Sequence, residues 1–143
     1  MYKNILVFID CSKKGSFENV MPAANDLASN NSAVLNVMTV VPDFGSSMVA
    51  QFFADDFDEK AAIKKVMQDL KSFIDKNVDN SIKTRPIVAT GKARNAILKC
   101  AKDVAADLIM LSPSREAEKF DWGVGATTSD VVRHSEISVL VVR

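Results

Sequence analysis

Five short runs of apolar residues constrain this chain most: Lys3 to Ile9, Ala33 to Val41, Ile82 to Ala89, Asp107 to Leu111 and Ile137 to Val142. They are rich in Val, Ile and Leu and mostly continuous. A strand with one face in water alternates, whereas a continuous run marks a strand covered on both faces, as in a parallel sheet. The segments between them carry helical period. Val20, Ala23, Ala24, Leu27 and Ala28 form one stripe after Ser16, a residue suited to open a helix, and Pro22 is compatible with it only in a first turn. Ala54 to Asn77 carries Ile63, Val66, Met67, Leu70, Phe73 and Ile74 on one face. Ala93, Ala96, Ile97, Cys100, Ala101 and Val104 form a third stripe, and a shorter helix is expected from about Thr127 to His134.

Strand and helix therefore alternate, which predicts an α/β fold: an open five-stranded parallel sheet with helices on both faces. At 143 residues, with no repeat, low-complexity tract or linker, the chain is expected to form one domain over residues 1–143. Pro86 lies inside the third run, directly after the basic pair Lys83 and Arg85. Proline cannot donate to a ladder and basic side chains discourage stray pairing, so the third strand belongs at an edge. The order 3-2-1-4-5 satisfies this. It reverses the chain between strands one and four, so the following segments, Asp10 to Ser16 and Ser112 to Gly125, border the expected ligand crevice.

Composition narrows the function. Eighteen basic and eighteen acidic residues cancel, which removes the electrostatic footprint of nucleic-acid binding. No apolar stretch approaches the roughly 18 residues of a membrane span, and the N-terminal run is too short for a signal peptide. Two cysteines, Cys11 and Cys100, make a poor disulfide framework. These features predict a cytoplasmic protein with reduced thiols. His134 is the only histidine, so neither a His-rich metal site nor a His-based catalytic set is expected, and its place at a helix end suits a dipole contact.

The chain opens Lys3-Asn4-Ile5-Leu6-Val7-Phe8-Ile9-Asp10-Cys11-Ser12, turns at Thr90-Gly91-Lys92-Ala93-Arg94-Asn95-Ala96-Ile97, and has Ala106-Asp107-Leu108-Ile109-Met110 as its fourth strand. It closes Asp130-Val131-Val132-Arg133-His134-Ser135-Glu136-Ile137-Ser138-Val139-Leu140-Val141-Val142-Arg143. In these four places it resembles the universal stress protein family. The resemblance implies a Rossmann-like fold, a role in the stress response, a homodimer and, as in many members, ATP as ligand.

ATP-binding members share a glycine, two residues, a glycine, nine residues, a glycine, and then serine or threonine. The resemblance sets those positions at Ser112, Arg115, Gly125 and Ala126, so only Gly125 is retained. Ser112 can donate through its hydroxyl. Arg115 either fills the phosphate pocket or pairs with phosphate through its guanidinium. Ala126 has no hydroxyl, but Thr127 and Thr128 follow it. The resemblance also brings Asp10 near the nucleotide and the Val40 backbone against adenine. Two readings stand for Gly123 to Thr128: an anion site at a helix start, or glycines that serve the turn while Thr127 caps the helix. Asp10, likewise, is a site residue or a helix-entry aspartate accepting backbone N–H groups. Met48, Val49, Phe52 and Phe53 form a lid or a packing surface, Trp122 stacks on a base or packs, and Cys11 is redox-sensitive or inert.

The leading functional reading is a stress-response binding or regulatory protein with weak or absent ATP binding and no catalytic residues. The alternative is an ATP-binding member with slow hydrolysis or nucleotide-dependent switching, for which Asp10 is the carboxylate offered to a metal. No G-x-G-x-x-G follows the first strand, which argues against a dinucleotide oxidoreductase. Phe8-Ile9-Asp10 lacks the paired acids of a receiver domain. Ile137 to Val142, an apolar edge without proline or internal charge, is expected to pair with its own copy.

Overall fold

Each of the five apolar runs is a strand in the computed structural model, which describes residues 1–10, 17–41, 59–113 and 125–143. The elements are β1 (Asn4–Phe8), α1 (Val20–Asn31), β2 (Val34–Val41), α2 (Glu59–Asn77), β3 (Thr84–Thr90), α3 (Ala93–Asp103), β4 (Leu108–Leu111), α4 (Ala126–His134) and β5 (Ser138–Val141). All pairings are parallel and the order is β3-β2-β1-β4-β5, as Pro86 and the alternation of elements predict.

The sheet divides the core in two. Ile5, Val7, Ile9, Leu35, Val37, Leu108 and Met110 face α1 and α2, meeting Val20, Met21, Ala24, Ala28, Leu70 and Ile74. Leu6, Met38, Ile109 and Leu111 face α3 and α4, meeting Ile97, Cys100, Ala101 and Val131. Both sets are buried because each strand of the centre points alternate side chains at opposite helix layers. This is why the runs carry no polar alternation.

Helix starts follow local chemistry. α1 begins at Val20 after a turn over residues 17–19, with the Met21 N–H bonded to the Phe17 carbonyl at 3.1 Å. Pro22 thus falls in the first turn, where its missing N–H has no intrahelical acceptor to lose. The expected opener, Ser16, lies outside the described residues, as do residues 54–58 of the second helical stripe. The edge position of β3 also fits its proline. Leu35 N–H donates to the Lys83 carbonyl and Gly91 N–H to the Val41 carbonyl, so the odd-numbered residues of β3 serve the ladder with β2. Pro86, an even one, faces its missing donor outward.

Two helices end on left-handed residues that are not glycine, Ser32 (φ 52°) after α1 and Ala105 (φ 53°) after α3. At the second, Ala106 N–H bonds to the Ala101 carbonyl and Ala105 N–H to the Lys102 carbonyl, a Schellman ending. Asn4 holds this turn against the sheet. Its Nδ2 donates to the carbonyls of Val104 and Ala105, while its Oδ1 accepts from the Nδ2 of Asn36 at 2.6 Å. Asn36 is fully buried on β2 and also donates to the Ile5 carbonyl at 3.0 Å. The Asp107 carboxylate completes the group, accepting the Lys3 N–H at 2.7 Å and the Asn4 N–H at 3.1 Å.

Removing Asn4 strips Asn36 of an acceptor and two carbonyls of a donor. Asn4→Ala is expected to cost about 2–3 kcal/mol, seen as a lower urea midpoint at unchanged slope.

Candidate functional site

Parallel strands end at one edge, and the candidate residues lie along it. The Ile9 N–H donates to the Met38 carbonyl at 2.9 Å, carrying the β1–β2 ladder one residue beyond the Phe8–Met38 pair. Asp10 follows at once, level with Val40 by that register. Val7 pairs with Met110, so Ser112 stands level with Ile9 on the other side of β1. Asp10, Val40 and Ser112 therefore occupy three adjacent strand ends at the point where the sheet order reverses, and each is half-buried. The Ser112 hydroxyl lies 3.5 Å from the Pro113 carbonyl, a long contact that a stronger acceptor would displace.

Gly125 begins α4. The helix starts at Ala126, one residue ahead of the sequence pattern, so the capping position is Gly125 and Thr127 lies inside the first turn. Gly125 has φ 84° and ψ 159°, a region that only glycine occupies without strain. Its carbonyl accepts the Ser129 N–H at 2.9 Å, the first bond of the helix. Glycine brings no side chain to cap with, and the amides of Ala126, Thr127 and Thr128 have no intrahelical acceptor. Ala126 is exposed, Thr127 half-buried and Thr128 buried. Among the described residues no side chain caps this start, which leaves a set of backbone donors at the positive end of a helix.

A second helix start lies at the same edge. Gly91, with φ 104°, turns the chain out of β3, and nothing lies within 4 Å of where a Cβ would stand, so the backbone angle alone demands glycine. The next residue, Lys92, caps α3 in extended conformation without a side-chain bond. α3 and α4 cover the same sheet face, and Arg94 near the start of α3 reaches Asp130 of α4 at 3.4 Å. Sequence reading missed this pair. Its only signal was a basic residue shortly after a glycine turn.

Other sequence candidates separate. Arg115, Cys11, Met48, Val49, Phe52, Phe53, Trp122, Gly123 and Val124 lie outside the described residues. Cys100 is on the buried face of α3, where burial first and Asp103 second push its thiol pKa up, away from the reactive thiolate. His134 is exposed in the last turn of α4. Among the described residues, no helix is long and apolar enough to cross a membrane.

Gly125→Ala is expected to lower the unfolding free energy by about 1–3 kcal/mol, because alanine must either hold that angle or shift the helix start. Urea denaturation of the variant beside the natural protein measures it.

Comparison with known proteins agrees with the fold. A model of the Universal stress protein family matches residues 1–143. A putative universal stress protein of Staphylococcus saprophyticus is 33% identical over 99% of this chain and 84% of its own length. Among solved structures, universal stress protein UspA from Lactobacillus plantarum superposes with a TM-score of 0.70 at 25% identity, covering 99% of this chain and 98% of that one. A universal stress protein in complex with cAMP has a TM-score of 0.62 at 21% identity, covering 99% of this chain and 97% of that one. One from Archaeoglobus fulgidus in complex with dAMP has 0.63 at 19%, with 99% and 98% covered.

Proposed function

The chain belongs to the universal stress protein family, and from that premise we propose that it is a stress-response binding protein that holds adenine nucleotides weakly, without robust catalysis. The observation that carries this reading is the start of α4. Gly125 leads into the amides of Ala126 to Thr128 with no side-chain cap among the described residues, at the edge shared by Asp10, Val40 and Ser112. A phosphate at the helix start and an adenine against the Val40 backbone fit that arrangement chemically. The structural relatives that hold cAMP and dAMP make an adenine nucleotide the ligand class to test, with ATP first.

Weakness follows from the donors. Ser112 and Arg115 stand where the ATP-binding pattern has glycines that let backbone amides approach phosphate, and Ala126 stands where it has a hydroxyl. Each charge-assisted hydrogen bond lost costs about 1.5–3 kcal/mol, so two or three losses weaken binding by orders of magnitude. Arg115 recovers part of this wherever its guanidinium reaches a phosphate. Titration calorimetry with ATP tests the reading by comparing the natural protein with the triple change Ser112→Gly, Arg115→Gly, Ala126→Ser. The triple change is expected to bind ATP at least about tenfold tighter, roughly 1.4 kcal/mol. Micromolar affinity in the natural protein, lost on Arg115→Gly, would show instead that Arg115 is itself a phosphate ligand.

The working unit of this proposal is a homodimer formed through the strand at Ile137 to Val142. β5 is an outer strand of the sheet, with Ser138 and Leu140 exposed and Val139 and Val141 packed inward. A bare apolar edge of this kind is an aggregation template unless it is paired. Light scattering at micromolar concentration is expected to give twice the chain mass, and Leu140→Asp, on the exposed face of β5, to give the single-chain mass. A natural protein that is monodisperse at 15.6 kDa removes the dimer from the proposal.

A further inference from the structure

Arg94 and Asp130 join the start of α3 to the second turn of α4. Arg94 Nη1 lies 3.4 Å from Asp130 Oδ2, with the side chains 47% and 33% exposed. Arg94 is the second residue of α3 and Asp130 the fifth of α4. A helical side chain leans toward its own N-terminus and covers the turn before it. Asp130 therefore lies over Ala126 and Thr127, four and three residues earlier, whose amides are the donors of the candidate phosphate site. Its Cα stands only about 6 Å along the axis from that of Ala126.

A carboxylate in that place opposes any anion at the helix start. It also sits past the first turn, where acidic residues gain most from the helix dipole. An ion pair this exposed adds little to stability, so its larger consequence is for the field over the first turn of α4. We infer that Arg94 is a specificity-determining residue of the site: by neutralising Asp130 it sets how many phosphate charges the start of α4 accepts. This rests on the nucleotide reading above and adds to it a preference between nucleotides. With Arg94 in place, the Asp130 charge beside the helix amides is balanced. With Arg94 removed, each further phosphate charge meets an unopposed carboxylate.

The experiment is a titration of adenosine, AMP and ATP into the full chain and into Arg94→Ala, Asp130→Asn and the double variant, by calorimetry or by chemical-shift perturbation at millimolar ligand. Thermal unfolding accompanies each variant as a check on folding. Arg94→Ala is expected to weaken ATP by about threefold or more and AMP by less, leaving adenosine unchanged. Asp130→Asn is expected to tighten ATP by a similar factor, and the double variant to return to within about twofold of the natural protein. An equal change for adenosine and ATP in Arg94→Ala overturns the inference in favour of a packing role. A double variant as weak as Arg94→Ala overturns it too, since neutralising Asp130 must then be irrelevant. Binding of ATP that none of the variants alters disproves the inference alone and leaves the nucleotide reading intact. If neither the natural protein nor Asp130→Asn binds any of the three, the nucleotide reading fails and this inference falls with it.

Discussion

The sheet hangs on a small polar clamp at the edge away from the candidate site. Asn4, Asn36 and Asp107 come from three consecutive places in the sheet order, β1, β2 and the entry to β4. Their bonds tie β1 to β2, to the turn after α3 and to the start of β4. Apolar burial alone does not choose a register, since a strand covered on both faces can slide by two residues and still bury Val or Ile. A buried amide with one matching partner cannot slide, because the displaced partner is left unsatisfied at a cost of about 1–3 kcal/mol. The positions of Asp10, Val40 and Ser112 at the far edge are set by this register. The clamp and the site are thus opposite ends of the same three strands.

Much of this architecture was legible in the residues because the relevant physics is local or periodic. The continuous runs identified the strands, and Pro86 with Lys83 and Arg85 identified an edge that the order 3-2-1-4-5 satisfies. Boundaries moved by one or two residues where strand and helix chemistry overlap, as at Ala126 and Thr84. What stayed hidden was tertiary. Asn4 and Asn36 read as polar interruptions of apolar runs, and nothing along the chain says that they face each other. Ala105 gave no sign of a left-handed angle, since alanine at that position is held by partners brought from β1.

The candidate site was legible in part for the same reason. Asp10 and Gly125 could be picked out because strand ends and helix starts are marked locally, and Gly125 is required by its backbone angle whatever its role. Arg94 could not, because its significance depends on which helix lies beside α3. The crossover connections put α3 and α4 on one face with their starts at one edge, and only that arrangement turns two ordinary surface residues into an ion pair between the helices. Packing within a parallel α/β sheet thereby sets charge near the candidate site that no single loop encodes.

Pro86 has a further consequence at the scale of assemblies. Strand-to-strand growth into a fibre requires every copy to offer two competent edges, one to receive and one to extend. Along β3 this chain presents an outward proline preceded by basic residues, whereas β5 offers an apolar stretch without one. In the language of polymer chemistry it is a monofunctional unit: once its reactive end is coupled, nothing remains from which the next unit can be added.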